Sequence, residues 1–185
     1  MGRVPVICVE NLYEQAICTE YRLHGSQIGI IKGEVMEIRK LNPDEQPPME
    51  LLLLADPSEP IVREYLRRGQ CYIAVIEGDA AGVYVLLPTR PGTVELVNIA
   101  VCETLQGQGL GKRLVHHAIT GAQQAGYKTL EIGTGNSSLD QLALYQKCGF
   151  RITGIDKDFF VRHYEEEIYE NGIQCRDMIR LSQDL

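Results

Sequence analysis

Gln106-Gly107-Gln108-Gly109-Leu110-Gly111 is the stretch on which the fold of this chain turns. Just before it, Val94 to Val101 is an almost unbroken apolar run; just after it, Leu114, Val115, Ala118, Ile119, Ala122 and Ala125 recur at helical spacing. The glycines therefore sit where a strand turns into a helix. Glycine lets backbone approach a ligand closely, and the first N–H groups of a helix have no partner inside it. With the positive end of the helix dipole they face whatever negative group arrives. The turn reads as a cradle for a phosphate or pyrophosphate.

Spacing separates the families that use such a turn. A P-loop needs Gly-Lys followed by Ser or Thr, but Gly111-Lys112 is followed by Arg113. The dinucleotide fingerprint needs G-x-G-x-x-G, whereas these glycines run G-x-G-x-G. The hexamer does fit Q/R-x-x-G-x-G/A, with Gln106, Gly109 and Gly111 in the key places. Further on, Leu144-Tyr145-Gln146-Lys147-Cys148-Gly149-Phe150 fits L-Y-x-x-x-G-F. On these two motifs, at their expected separation, the chain resembles the GNAT family of acetyl-CoA-dependent N-acetyltransferases from about Met36 to its C-terminus.

The resemblance implies an α/β GNAT acyl-CoA N-acyltransferase fold: a mixed, largely antiparallel sheet, flanked by helices and splayed near its centre. It implies acetyl-CoA as cosubstrate, no metal, and acetyl transfer to a primary amine by direct attack in a ternary complex. Cofactor contacts fall on the cradle (Gln106, Gly107, Gln108, Gly109, Leu110, Gly111) and on the backbone of Ile99 and Val101, which would bond the pantetheine as an added strand would. Tyr145 would face the sulfur of coenzyme A and protonate the departing thiolate, as a phenol with a reference pKa of about 10 can. Many members carry Asn seven residues before this Tyr, bonding the pantetheine arm. Here that place is Ser138, with Asn136 two residues earlier, so Ser138 or Asn136 is the substitute. An acyl-CoA-binding sensor or regulatory module without transfer activity is the alternative.

The residues themselves single out Glu95. By alternation in a strand buried on both faces it shares a side with Val97, Ile99 and Val101, so it must be paired, have a raised pKa, or border a wet cleft. An ammonium, with a reference pKa of about 10.4, has no lone pair until a base removes a proton, and Glu95 is the candidate base. The plainer reading is a Glu exposed at a strand end.

Elsewhere, Met49–Ala55 and Glu59–Arg68 read as helices after the start signal Asn42-Pro43-Asp44. Cys71–Ile76 and Gly82–Leu87 read as a hairpin, Pro88–Gly92 as a loop, and Lys128–Gly133 as a strand parallel to Val94–Val101. In the helix from Leu139 to Cys148, Leu139, Leu142, Ala143 and Gln146 read as the core stripe, with Ser138, Gln141 and Tyr145 on a polar face. His116 and His117 are adjacent on a helix and point apart, which makes them poor joint metal ligands. In the tail, Phe150–Ile155 and Cys175–Leu181 read as strands around an acidic and aromatic segment, Phe159 to Glu170, which reads either as a holder for a cationic amine or, more plainly, as a solvated loop with a few anchoring rings. In residues 1–35, Val4–Cys8 and Ile28–Ile31 show no convincing period. These residues read as an extension ahead of a domain spanning 36–185, whose first strand is Met36–Leu41. Met36 then stands as the native start, with Lys32-Gly33-Glu34-Val35 encodable by a purine-rich ribosome-binding stretch; the rival is a native arm packing on the domain or on a second subunit in a homodimer.

Composition sets the outer bounds. A chain of 185 residues with 44% hydrophobic content supports one core. A net charge of −7 and a pI near 5.1 argue against nucleic acid and suit a cationic substrate. Six cysteines without a C-x-x-C pair signal neither zinc nor a disulfide framework, and read as reduced thiols of a cytoplasmic protein. Neither a membrane-spanning run nor a secretion signal is evident, so no membrane partner is expected. The acceptor stays open among polyamine, aminoglycoside, amino acid and protein N-terminus.

Overall fold

Turn chemistry and alternation build the sheet, and two amphipathic layers cover it. A computed structural model describes residues 21–23, 26–31 and 34–185. The order is β1 (Tyr21–Leu23), β2 (Ser26–Ile31), β3 (Glu34–Lys40), α1 (Met49–Ala55), α2 (Glu59–Arg68), β4 (Gln70–Ile76), β5 (Asp79–Arg90) and β6 (Thr93–Val101). A 3-10 turn at Glu103–Leu105 leads to α3 (Leu110–Gln124), β7 (Thr129–Gly135), α4 (Leu139–Lys147), β8 (Arg151–Asp156) and α5 (Phe159–His163). The short hairpin of β9 (Tyr169–Glu170) and β10 (Ile173–Gln174) precedes the last strand, β11 (Met178–Asp184).

Among the described residues nine strands form one sheet, ordered β1-β2-β3-β4-β5-β6-β7-β11-β8. Every neighbouring pair is antiparallel except β6 and β7, which α3 joins as a parallel crossover. The expected mixed, largely antiparallel sheet flanked by helices is what forms. Between β4 and β5, Glu77 and Gly78 take φ of 52° and 94°, the double left-handed geometry that a two-residue hairpin needs.

Several boundaries depart from the sequence reading. Residues 88–90, expected in a loop, continue β5, since an irregular register past Pro88 absorbs the missing donor. Ile28–Ile31, without periodicity, lies in β2 and pairs with β3 from Gln27↔Ile38 to Ile31↔Glu34. Strand pairing needs only backbone, so alternation gives no warning of it. Met36 lies inside β3; the reading of Val4–Cys8 falls outside the described residues. In the tail the strands run 151–156 and 178–184, and the intervening segment contains α5 and the β9–β10 hairpin.

The core has two layers. On one side of the sheet Leu110, Leu114, Val115 and Ala118 of α3 and Tyr145 of α4 pack on Tyr84, Leu86, Val94, Leu96, Leu130 and Ile132. On the other, Leu51 and Leu52 of α1 and Val62 and Tyr65 of α2 pack on Ile73, Val83, Val85, Leu87 and Ala100. At about 1.5 to 3 kcal/mol for each fully buried large aliphatic side chain, both layers hold the sheet firmly.

Two features of β6 position the site. Val85 pairs with Asn98 but Leu86 pairs with Leu96, so Val97 is an extra residue, a β-bulge. Secondly, the parallel pairing with β7 runs from Thr93↔Thr129 to Leu96↔Ile132 and stops there. Beyond that point β6 continues to Val101 against β5, and β7 to Gly135 against β11. A V-shaped gap therefore opens between two strands whose outer edges remain paired.

Candidate active site

The cradle stands at the mouth of this gap. Gly109 caps α3 at φ 81°, ψ 0°, a left-handed conformation that favours glycine, and a Cβ there would meet nothing within 4 Å. The helix ladder begins with the Arg113 N–H donating to the Gly109 carbonyl at 3.1 Å, so the N–H groups of Leu110 and Gly111 precede the first bond, and Gly109 has no side chain to cap them. Gln106 and Gln108 brace the turn: their amides donate to the carbonyls of Val101 at 3.1 Å and Thr104 at 2.9 Å. At Gly111 a Cβ would lie 3.6 Å from Leu144 Cδ2 and 3.9 Å from Val101 Cγ2. The cradle, the end of β6 and α4 thus converge at one point.

These parts fit coenzyme A. Open space and unpaired N–H groups at a helix N-terminus suit its pyrophosphate. The unpaired inner edge of β6, where Ile99 and Val101 lie, suits an extended amide-bearing arm. The Val101 carbonyl is taken by Gln106, which leaves Ile99 the freer of the two.

Tyr145 is buried, with 4% of its surface exposed, edge-on to the Phe150 ring at 6.3 Å between centroids. Its face of α4 is the core face: Tyr145 and Cys148 are buried, whereas Leu139 is 48% exposed and Ala143 and Gln146 are exposed. Of the expected stripe only Leu142 packs against the core, while Tyr145, expected on the polar face, is buried and Gln141 is exposed as expected. A nine-residue helix with apolar residues on several faces leaves its wheel ambiguous, and the sheet decides. Burial also pushes the Tyr145 phenol well above its ordinary value. At neutral pH it keeps its proton.

Neither candidate for the pantetheine amide is free. The Asn136 side chain donates to the Gln174 carbonyl at 3.0 Å and accepts from the backbone N–H groups of Arg176 at 2.8 Å and Asp177 at 2.9 Å. Ser138 donates to Glu170 at 2.5 Å. Both side chains tie the tail to the end of β7.

Glu95 shares a face with Val97, as alternation implies, but not with Ile99 and Val101. The bulge at Val97 reverses the pleat, so Glu95 lies opposite Leu87 on the α1–α2 side with Asn98 and Ala100, while Ile99 and Val101 point to the α3 side. One carboxylate oxygen accepts from Arg180 Nη1 at 2.9 Å. Arg180 in turn lies 5.5 Å from the centre of the Phe159 ring and 3.8 Å from Asp156. Desolvation raises the Glu95 pKa; Arg180 pulls it down, and nearby Glu131 pushes it up again, leaving a net rise.

The profile of the acetyltransferase (GNAT) family matches residues 35–150. The chain belongs to the GNAT family. An uncharacterized N-acetyltransferase of Bacillus subtilis strain 168, YvbK, is 67% identical over 136 residues, 74% of this chain and 88% of that protein. Among solved structures, a Bacillus subtilis acetyltransferase in complex with CoA is 62% identical, with a TM-score of 0.77 over 80% of this chain and 97% of the other. A GNAT acetyltransferase of Elizabethkingia anophelis with acetyl-CoA bound is 48% identical, with a TM-score of 0.80 over 81% and 98%. This GNAT protein is an acetyltransferase that uses acetyl-CoA as cosubstrate.

Two polar residues on the α1–α2 side, Asn98 and Asp56, were not found by sequence reasoning. Asn98, 3% exposed, donates to the Leu52 carbonyl at 3.0 Å and to the Tyr65 hydroxyl at 2.7 Å, and its Oδ1 is buried without a partner. Asp56, at the end of α1, accepts from Tyr164 at 3.1 Å and from the Ser58 N–H at 3.0 Å. Asp56-Pro57-Ser58 reads in sequence only as a helix break, and the Asp56–Tyr164 contact spans 108 positions. Among the described residues no group of three or more His, Cys, Asp or Glu is placed to hold a metal, and no helix is long and apolar enough to cross a membrane.

Proposed function

We propose that this protein transfers the acetyl group of acetyl-CoA to a primary amine by direct attack, with Glu95 as base and Tyr145 as acid. The observation that carries the reading is the gap between β6 and β7, which lies between a carboxylate-bearing acceptor face and a cradle-bearing cofactor face. Acetyl-CoA supplies the thioester. The cradle N–H groups orient the pyrophosphate, and the inner edge of β6 holds the arm extended.

Glu95 keeps one carboxylate oxygen outside the Arg180 contact, and its raised pKa makes it a stronger proton acceptor than an ordinary carboxylate. It takes a proton from the bound ammonium, directly or through one water. Tyr145, whose hydroxyl makes no hydrogen bond with another described residue, gives its proton to the departing sulfur and recovers one from solvent. Its raised pKa makes it a weaker acid than a free phenol, which limits its rate contribution but keeps it protonated until needed.

The test follows thiol release from acetyl-CoA across a panel of primary amines, alongside calorimetric binding of coenzyme A. Turnover on at least one amine is expected. Tight binding with no turnover on any amine would instead support the sensor reading.

A further inference from the structure

An aromatic wall connects two carboxylates on the acceptor face. From Glu95 the contacts pass to Arg180, whose guanidinium lies over Phe159. Phe159 meets Phe160 edge-on at 5.3 Å, and Phe160 stacks on Tyr164 at 5.6 Å. Tyr164 ends the row by donating to Asp56. All three rings are half-buried, so each keeps part of its surface open to a ligand, and His163 flanks Phe159 at 4.6 Å between ring centres. The wall is fixed in place: the Phe160 N–H donates to the Arg176 carbonyl at 3.0 Å, and the Asp158 N–H to Asp177 at 2.8 Å.

The two carboxylates differ in their company. Glu95 has Arg180 as a counter-charge. Asp56 is half-buried, and among the described residues no cation pairs with it or offsets its charge; burial holds its carboxyl above the usual range. Beside it stands an orphan acceptor. Asn98 and the Asp56 backbone N–H both donate to the same Leu52 carbonyl oxygen, at 3.0 and 3.1 Å, and Asn98 Oδ1 has no donor. The orientation of this amide is set by the Leu52 carbonyl, which can only accept. A half-buried unpaired carboxylate, an unpaired buried carbonyl and two aromatic rings are the chemistry that holds an ammonium.

We infer that Asp56, with Tyr164 and Asn98, forms a second cation subsite, so that the preferred acceptor is a linear diamine or polyamine. Its reacting amine lies at Glu95, its methylenes lie along Phe159 and Phe160, and its distal ammonium lies at Asp56. This inference rests on the acetyl-transfer reading above. It adds no chemical step, only recognition.

Two probes of equal chain length isolate the distal charge: 1,5-diaminopentane and n-pentylamine. In the wild-type protein kcat/KM for the diamine should exceed that for the monoamine by about ten- to a hundredfold, the worth of a charge-assisted hydrogen bond. In Asp56→Asn that ratio should collapse to within about threefold of unity, and Asp56→Glu should recover part of it. A wild-type ratio near one, or a ratio unchanged in Asp56→Asn, overturns the subsite while leaving acetyl transfer standing. If no amine is acetylated, the transfer reading fails, and the subsite is decided by calorimetry of 1,5-diaminopentane with CoA-saturated protein. Tighter binding to wild type than to Asp56→Asn supports it; equal or absent binding overturns it. Melting curves of both variants confirm that they are folded.

Discussion

At the scale of single residues the proposed acid, Tyr145, and the proposed base, Glu95, are both displaced from their solution values by burial, and each displacement has a measurable sign. Tyr145→Phe keeps the ring that packs on Phe150 and removes only the proton donor. We expect kcat to fall about a hundredfold, the lower end of the range for a general acid, because a phenol held above its ordinary value is a weak donor. KM for acetyl-CoA should change little. Full turnover, with chemistry shown to limit the rate, would exclude the phenol. For Glu95 the informative variant is its neighbour. Arg180 lowers the Glu95 pKa, so Arg180→Gln should raise it further. A base must be deprotonated to act, so the acid limb of kcat/KM should move to higher pH, with activity below the limb falling about tenfold per unit of displacement. An unmoved limb in Arg180→Gln, read by initial rates from pH 5 to 9, would mean that another group titrates in that limb.

At the scale of elements the start of α3 separates two glycines that the motif treats alike. Gly109 needs its left-handed φ, which costs an ordinary residue roughly 1 to 2 kcal/mol, and it faces open space where a ligand would approach. Gly111 would set a Cβ at ordinary contact distance from Leu144 and Val101. Gly109→Ala should therefore weaken coenzyme A binding at least tenfold and lower the melting temperature, whereas Gly111→Ala should leave affinity within about threefold. Calorimetry on both variants checks this. The motif, its strand–turn–helix setting and the parallel crossover were legible in the sequence because each depends on neighbours within about thirty positions. The separation of Glu95 from the face of Ile99 and Val101 was not, because alternation cannot show where one strand gains a residue relative to its partner; Val97 is identified only by the pairing of Leu86 and Val85. The strand at Ile28–Ile31 was hidden for a related reason, its pairing being carried by backbone. Asp56 and Tyr164 come together only once α5 has folded back on the end of α1.

At the scale of the whole molecule the tail is bound to the end of β7 by Asn136, which joins the segment before β11 through three side-chain hydrogen bonds. Asn136→Ala leaves two backbone N–H groups and a carbonyl without their partner and should cost about 1 to 3 kcal/mol, or roughly 2 to 10 °C in melting temperature for a chain of this size. If Asn136 is purely this brace, KM for acetyl-CoA stays within about threefold; a tenfold rise would make it a cofactor contact as well. The sheet also has a consequence for how such a protein can diversify. Glu95, Asn98, Asp56, Phe159, Phe160 and Tyr164 serve the α1–α2 side or the tail, while the cradle, Ile99 and Tyr145 serve the α3–α4 side. The bulge at Val97 lets a single strand serve both without sharing a side chain between them. On the proposed function, a lineage is free to rewrite which amine it accepts by changing residues around 49–68 and 156–176, while the other half goes on holding the same acyl donor.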